Sequence, residues 1–205
     1  MRHLICAAVL SGLVTATPVV LAQQRPGPPG PWVLDLRGTM VSLPVDPVFV
    51  PVIAAGTLIP TRGFGANVGT HWYGPQWGAA RLGIGAGWTW ARGTRPGVGL
   101  VPRVQEVFTS VSPEVSFNFG TASGWSYLSL GTGVGIIRGD LVSQGVTSES
   151  VTTGNRLDIH AGVGARWFTI DHLAIGFDVR LHRLSAGRIT PSTMRLAASV
   201  GISVH

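Results

Sequence analysis

Charged and histidine side chains recur at alternate positions in several segments of this sequence. One such segment carries Asp178, Arg180 and His182. Side chains two residues apart lie on the same face of an extended strand, so each set shares one face. The residues in this pattern that we single out as a candidate cluster are Arg37, Glu114, Asp158, His160, Asp178, Arg180, His182 and Arg195.

Two kinds of chemistry are open to this cluster. Oppositely charged side chains that are buried together must pair, so the cluster can neutralise itself and fill the interior of the fold. Alternatively, a pore lined by polar groups with an excess of arginine favours the passage of anions. The first alternative is structural, and the second is a transport function.

Strand pairing predicts which members of the cluster meet. Folding the two histidine-bearing strands onto each other about the short turn between them places Asp158 opposite His182. The same pairing places His160 opposite Arg180, and pairing with the last strand places His182 near Arg195. We therefore expect a group of Asp158, His182 and Arg195 near one mouth of the fold.

Other chemistry lacks a sequence signal. The histidines show no metal-ligand spacing, and the one cysteine, Cys6, lies near the N-terminus, so we expect no metal site. The glycine-rich segments match no phosphate-binding fingerprint, so we expect no cofactor and assign no catalytic residue. The basic residues are 15 arginines scattered singly, which disfavours nucleic acid as a partner.

Strands must position these side chains. Of the 205 residues, 45% are hydrophobic, 12% are charged and 29 are glycines. Apolar and polar residues alternate with a period of two along most of the chain, which indicates β-strands. We place eight strands at about 32–43, 63–73, 78–91, 106–119, 125–137, 156–168, 172–183 and 193–204.

The two faces of these strands indicate the environment. One face carries large apolar side chains and no charge, whereas the other carries glycine, serine and every mid-strand charge. A soluble ligand-binding barrel would turn its apolar face inward. A small membrane barrel turns that face to lipid and fills its narrow lumen with small and polar residues. Because the glycines share the charged face, we predict an all-β, eight-stranded antiparallel transmembrane β-barrel.

The N-terminus has the features of an export signal. Met1 to His3 give a short basic start, an apolar run follows, and Val20-Leu21-Ala22 forms a small-residue cleavage site. We expect residues 1–22 to be a cleaved signal peptide, 23–31 a flexible leader and 32–205 the barrel domain.

Connection lengths support an outer-membrane location. Long links at about 44–62, 92–105, 138–155 and 184–192 alternate with three short ones. Outer-membrane barrels have long external loops, short periplasmic turns and aromatic girdles at both interfaces. The aromatic residues beside the short turns are Trp72, Trp77, Phe119, Trp125 and Trp167.

These features resemble the outer-membrane β-barrel families, such as the transmembrane domain of outer-membrane protein A. The stretches that carry the resemblance are 112–120, 164–168, 178–180 and the terminal pattern 196–205. Two residues depart from it: His205 ends the chain where these families end in an aromatic residue, and Pro113 lies within a strand. Proline removes a ladder donor, so we expect a β-bulge there.

The resemblance implies a structural or surface-interaction role in the cell envelope of a Gram-negative bacterium. It also implies contacts with outer-membrane lipid and lipopolysaccharide, and with the barrel-assembly machinery during insertion. We expect a porin-like fold with at most limited small-solute permeability, and a monomer.

An enzymatic alternative comes from a looser resemblance to outer-membrane enzymes that deacylate lipid A. In that family a histidine and a serine end the seventh strand, and here the corresponding residues are His182 and Ser185, with Glu114 or Asp158 as the orienting acid. Their spacing of three, where the family has two, puts them on opposite faces of a regular strand.

Overall fold

The computed structural model describes residues 30–44, 59–97, 102–143, 146–187 and 190–205. The predicted signal peptide, residues 1–22, lies outside the described residues, as does the leader up to residue 29. Within the described part, no helix is long and apolar enough to cross a membrane.

The described residues form nine antiparallel strands. Their bounds are β1 Trp32–Ser42, β2 Arg62–Trp77, β3 Ala80–Arg95, β4 Arg103–Thr121, β5 Gly124–Ser143, β6 Val146–Thr152, β7 Arg156–Ile170, β8 Leu173–Leu184 and β9 Thr193–Val204. Eight of them form a ring in the order β1-β2-β3-β4-β5-β7-β8-β9, which the pairing of β9 with β1 closes. The predicted barrel is confirmed.

The ninth strand, β6, lies within the long link predicted at 138–155. β5 continues to Ser143, and β6 folds back along it to pair Arg138 with Thr152. The sequence of β6 is VTSESVT, and the eight predicted strands do not include it. β6 pairs with β5 alone, so this hairpin extends the wall of the barrel at one end.

The outward face of the ring is apolar. Leu130 and Val200 are 60% and 64% exposed, whereas Asp35 on the inward face is fully buried. This arrangement is the reverse of that in a soluble barrel, because the large apolar side chains stand outside and the charges lie inside. A hydrocarbon environment is what such an outer surface requires.

Glycine on the inward face allows neighbouring strands to approach closely. A Cβ atom at Gly133 would lie 2.1 Å from the carbonyl oxygen of Val111, and one at Gly85 would lie 2.1 Å from that of Thr70. By contrast, the outward-facing Gly38 has no atom nearer than 3.9 Å to such a position. The inward glycines are therefore required by a narrow barrel.

The two ends of the barrel differ. At the end that we call the turn end, two residues join each pair of strands, and Gly78 in the first of these turns has a φ of 61°. Long connections join the strands at the other end, the loop end, and the first and last strands begin and finish at the turn end. In outer-membrane barrels the long connections lie at the external end.

Two local expectations are wrong. No bulge occurs at Pro113, because β4 keeps one register with β3 and β5 on both sides of it. Proline is tolerated there because its side chain points outward and the ladder to β5 omits this residue. Trp125 does not belong to the aromatic girdle predicted beside the short turns, because its side chain is 7% exposed and lies inside the barrel at the turn end. Trp125 points inward because it lies two residues from the inward-facing Tyr127 on the same strand.

Candidate functional site

The interior of the barrel holds the charged side chains singled out from the sequence. Arg37, Glu114, Asp158, His160, Asp178, Arg180, His182 and Arg195 are all buried. Arg81, which also has inward parity, is half-buried at the turn end, where its guanidinium stacks on Trp125 at 5.4 Å. The strands bring these residues together because each contributes inward positions at a spacing of two.

Glu114 on β4 lies at the centre of this interior. Its Oε2 accepts hydrogen bonds from Arg180 Nη1 at 2.7 Å and from His160 Nε2 at 3.2 Å. His71 Nε2 lies 2.8 Å from Oε1. One carboxylate from β4 thus contacts side chains from β2, β7 and β8, which connects opposite parts of the ring.

A second contact set surrounds Asp35 on β1. Arg166 donates through Nε and Nη2 to the two carboxylate oxygens at 3.1 and 2.6 Å, the bidentate geometry that a guanidinium forms best. Arg37 Nη2 lies 2.8 Å from Oδ1. Arg166 also donates to the hydroxyl of Tyr73 at 3.0 Å and lies over the ring of Tyr127 at 4.5 Å.

Asp178 joins these two sets. It accepts a hydrogen bond from the hydroxyl of Tyr127 at 2.8 Å and one from Arg180 Nε at 2.6 Å. Arg180 thereby bridges Asp178 and Glu114. We call the connected residues the interior network: Asp35, Arg37, His71, Tyr73, Glu114, Tyr127, Asp158, His160, Arg166, Asp178, Arg180 and His182.

The part of the network nearest the loop end is built on Asp158. Its Oδ2 lies 2.8 Å from Nδ1 of His182 and accepts a hydrogen bond from Ser110. Arg195, expected in this group, is opposite His182 in the β8–β9 ladder but is paired with Glu106 at 2.8 Å. The structure therefore contains a contact between Asp158 and His182 and a separate ion pair between Arg195 and Glu106, in place of one three-residue group.

The predicted cross-strand partners are displaced by two residues. His160 is opposite His182, and Arg180 is opposite Gly162. The reason is the turn, which consists of Asp171 and His172 and is accompanied by a register shift after Phe168. Asp158 still reaches His182, because the side chain spans the diagonal between neighbouring strands.

Apolar side chains close both ends of the interior. The turn-side cap consists of Val33, Tyr73, Trp125, Phe168 and Ala174. The loop-side cap consists of Val41, Leu43, Ala91, Phe108, Ile137, Leu184 and Ala197. Trp125 packs edge-on against Tyr73 and Phe168, each with ring centroids 5.2 Å apart. The charged network is thus enclosed between two apolar layers.

Comparison with known proteins bears on the fold. No protein-family model matches the sequence, and no curated protein does. Among solved structures, Ail, the attachment invasion locus protein of Yersinia pestis, has a TM-score of 0.52 and 13% identity over 84% of this chain and 95% of that chain. Neisserial surface protein A has a TM-score of 0.55 and 10% identity over 85% of this chain and 97% of that chain.

The chain has the outer-membrane β-barrel fold. At these identities the likeness concerns the fold alone. Together with the apolar outer surface, it supports a location in the outer membrane.

Several residues of the barrel interior were not singled out from the sequence. His71 contacts Glu114, Glu106 pairs with Arg195, and Tyr127 binds Asp178. Their inward parity was the available signal, because each lies an even number of residues from another inward-facing side chain. Glu106 is the first residue of the strand predicted at about 106–119, so its inward parity with Glu114 could have been read from the sequence.

His182 and Ser185, the pair on which the enzymatic alternative depends, have separate surroundings in this barrel. His182 is buried and contacts Asp158, whereas the half-buried Ser185 accepts a hydrogen bond from the backbone N–H of Leu157 at 3.1 Å. Within the described residues no hydrogen bond joins His182 to Ser185. Nucleophile and base must be within hydrogen-bond reach of each other, so this geometry does not favour acyl transfer.

Two further histidines lie at the turn end of the barrel, outside the strands. The rings of His172 and His205 have centroids 6.4 Å apart, and His172 Nδ1 lies 3.2 Å from the backbone oxygen of His205. Partial burial, together with the nearby His172, lowers the pKa of His205. This pair, in which His172 is exposed and His205 is half-buried, is distinct from the buried histidines of the interior network.

Proposed function

We propose that this protein is a closed outer-membrane barrel that acts through its external surface and does not serve as a channel. The filled lumen carries this proposal. Ion pairs span the ring at its centre, and apolar caps close it at both ends. Eight strands enclose a lumen only wide enough for side chains, and here side chains occupy it.

A rigid, filled barrel is suited to holding its loops in place. Interactions with partners concentrate on loops that a stable scaffold positions. Ail, which shares the fold, is named the attachment invasion locus protein of Yersinia pestis. A surface-interaction role is consistent with this architecture, in which the long connections all emerge at one end.

Conductance measurements test the closed barrel. Inserted into planar lipid bilayers, the folded protein is expected to give no steady conductance steps at neutral pH, because buried ion pairs and two apolar caps occupy the lumen in the described part of the chain. A sixteen-stranded porin inserted in the same bilayers provides the positive control. Reproducible anion-selective steps that scale with the amount of folded protein would contradict the proposal and favour the pore.

The loop end carries a belt of exposed arginines. The described residues at this end include six of them: Arg62, Arg92, Arg95, Arg103, Arg138 and Arg183. The described exposed acid at the same end is Glu149. Arg62 and Arg92 lie on the outward face of neighbouring strands, since Arg92 is opposite Phe64, two residues from Arg62. The belt is therefore positioned beside the lipid surface.

We propose that this belt binds the phosphate groups of lipopolysaccharide. Arginine recognises phosphate and sulfate through paired N–H donors, so the belt has the chemistry for such groups. A structure of Ail contains a heparin analogue, sucrose octasulfate, and that observation belongs to Ail. In this chain the outward direction of Arg62 and Arg92 favours a ligand in the membrane surface.

Thermal unfolding in vesicles tests lipopolysaccharide binding. Adding lipopolysaccharide to phosphatidylcholine vesicles is expected to raise the unfolding midpoint of the barrel, and more so at low salt, because the contacts are ionic. The double variant Arg62→Gln, Arg92→Gln is expected to lose at least about half of this rise. The control Arg81→Gln removes one charge at the turn end and is expected to retain it. An equal rise of the unfolding midpoint in wild type and double variant, or a rise that does not depend on salt, would contradict binding of lipopolysaccharide by the belt.

A further inference from the structure

We propose that Asp158, His160 and His182 form a binding site for a divalent transition-metal ion, and that zinc is the ion their chemistry favours. The three side chains are buried inside the barrel, toward its loop end. Each offers one ligand atom, and these three atoms lie within 4.8 Å of one another. No sequence spacing indicated this site.

The strand ladder explains how three separated residues converge. Asp158 and His160 are two positions apart on β7, so both point inward. His182 on β8 is directly opposite His160, and the two imidazole rings have centroids 5.1 Å apart. The site therefore consists of an Asp-x-His pair on one strand and a histidine at the facing position of the next strand.

The donor set suits zinc. Two imidazole nitrogens and one carboxylate oxygen are common ligands of this ion, with bonds of about 2.0–2.2 Å. Oxygen-only ligands would instead favour magnesium or calcium, and no thiolate is present to favour softer ions. Because the ligand atoms are already within 4.8 Å, small side-chain rotations can bring them around a single ion.

Two potential ligand atoms lack other partners. Oδ1 of Asp158 and Nε2 of His182 are both buried, and neither has a hydrogen-bond partner within the described chain. Buried polar atoms are nearly always satisfied, so an unsatisfied pair in one cluster points to a missing partner. A bound cation would satisfy Oδ1 of Asp158 directly and Nε2 of His182 once that ring turns away from Oδ2 of Asp158, and it would offset the charge of Asp158.

The surroundings support the histidines as ligands. Nε2 of His160 lies 3.2 Å from Oε2 of Glu114, and its Nδ1, the nitrogen available to a metal ion, has only a long contact of 3.5 Å with the hydroxyl of Ser112. Histidines that bind metals commonly hold their other nitrogen on a carboxylate in this way, which orients the ring. Ser110 donates a hydrogen bond to Asp158 and orients that carboxylate. Neighbouring residues thus hold two of the three ligands.

Metal loading during folding provides the test, because the loop-side cap separates the site from the exterior. The full chain is folded in detergent with excess zinc, freed of unbound metal by gel filtration, and analysed for zinc. We expect one zinc per barrel. Folding with cobalt in place of zinc is expected to give the visible absorption of a four- or five-coordinate ion with nitrogen and oxygen ligands.

Two variants and one control locate the ion. Asp158→Asn preserves shape and hydrogen bonding to Ser110 but removes the anionic ligand, and His160→Gln removes one imidazole. Each is expected to weaken zinc binding at least about 100-fold. His172→Gln removes a histidine from the pair at the turn end and is expected to leave one zinc bound. If one variant fails to fold, the other still decides.

Three results would overturn the proposal. One is less than about one tenth of an equivalent of zinc in folded wild type. Another is zinc retained in both Asp158→Asn and His160→Gln. The third is zinc lost in His172→Gln, which would place the ion on the histidines at the turn end. In the first case the interior network is purely a set of ion pairs.

Discussion

Replacing Glu114 with glutamine is expected to lower the free energy of unfolding by about 3–5 kcal/mol. The carboxylate contacts Arg180, His160 and His71, all of which are buried. An amide of the same shape removes one of the two carboxylates that neutralise Arg180, the other being Asp178, and it removes the negative charge beside His71 and His160 in a medium of low dielectric constant. Breaking a buried ion pair on one side is far more costly than replacing both partners, because the remaining charge is uncompensated.

The measurement is equilibrium unfolding by urea of the barrel folded into lipid vesicles, followed by the difference in gel mobility between unboiled and boiled samples. Glu149→Gln makes the same chemical change on an exposed residue of β6 and is expected to alter the free energy by less than about 1 kcal/mol. A change below about 1 kcal/mol in Glu114→Gln as well would mean that the interior network does not stabilise the barrel through charge pairing.

Replacing Leu130 with arginine is expected to lower the free energy of unfolding in a bilayer by about 2–4 kcal/mol. Leu130 is 60% exposed on the outward face, near the middle of the outward-facing part of β5. On a soluble barrel such a change at an exposed position would be close to neutral. In a membrane it places a charge in hydrocarbon, and its effect depends on depth.

Ile170→Arg is the matched control, because Ile170 is also 60% exposed but lies beside the turn at the end of β7. There the expected change is only about 0–1 kcal/mol, since the side chain reaches the interface. The free energies of unfolding of the two variants are compared with that of the wild type in lipid vesicles. Equal effects of the two substitutions would indicate that the apolar face does not contact lipid.

The two predictions examine opposite faces of one wall. Glu114 and Leu130 lie on neighbouring strands, with inward and outward parity respectively. A barrel with its charges inside and its apolar residues in lipid requires both variants to be destabilising. Destabilisation by Glu114→Gln alone would fit a charged core in a non-membrane environment.

Much of this architecture could be predicted from the sequence because strand geometry is simple. Side chains alternate between faces with a period of two, so residues such as Asp178 and Arg180 were assigned to one face without any knowledge of their partners. Glycine on the charged face further indicates that this face lines the narrow interior. The apolar face must then lie outside, which indicates a membrane barrel. Composition and periodicity were sufficient for both conclusions.

The identity of each ionic partner depended on tertiary structure. A difference of two residues at the turn of Asp171 and His172 moves every pair in the β7–β8 ladder, and hydropathy alone does not specify turn length. Contacts between distant strands, such as that between Asp35 and Arg166, depend on ring closure and on barrel diameter. The alternation of apolar and polar residues along one strand specifies neither ring closure nor barrel diameter.

The same division applies to the site proposed for zinc and to the caps. By itself, the sequence determined the strands, their two faces and the inward direction of Asp158, His160 and His182. Only the tertiary structure decided that these three residues meet, that Trp125 turns inward to close one end, and that β6 extends the wall. The physical reason is that the face to which a side chain points is a local property of its strand. Which side chains come into contact depends instead on strand register and on closure of the barrel, and the whole ring of strands determines both.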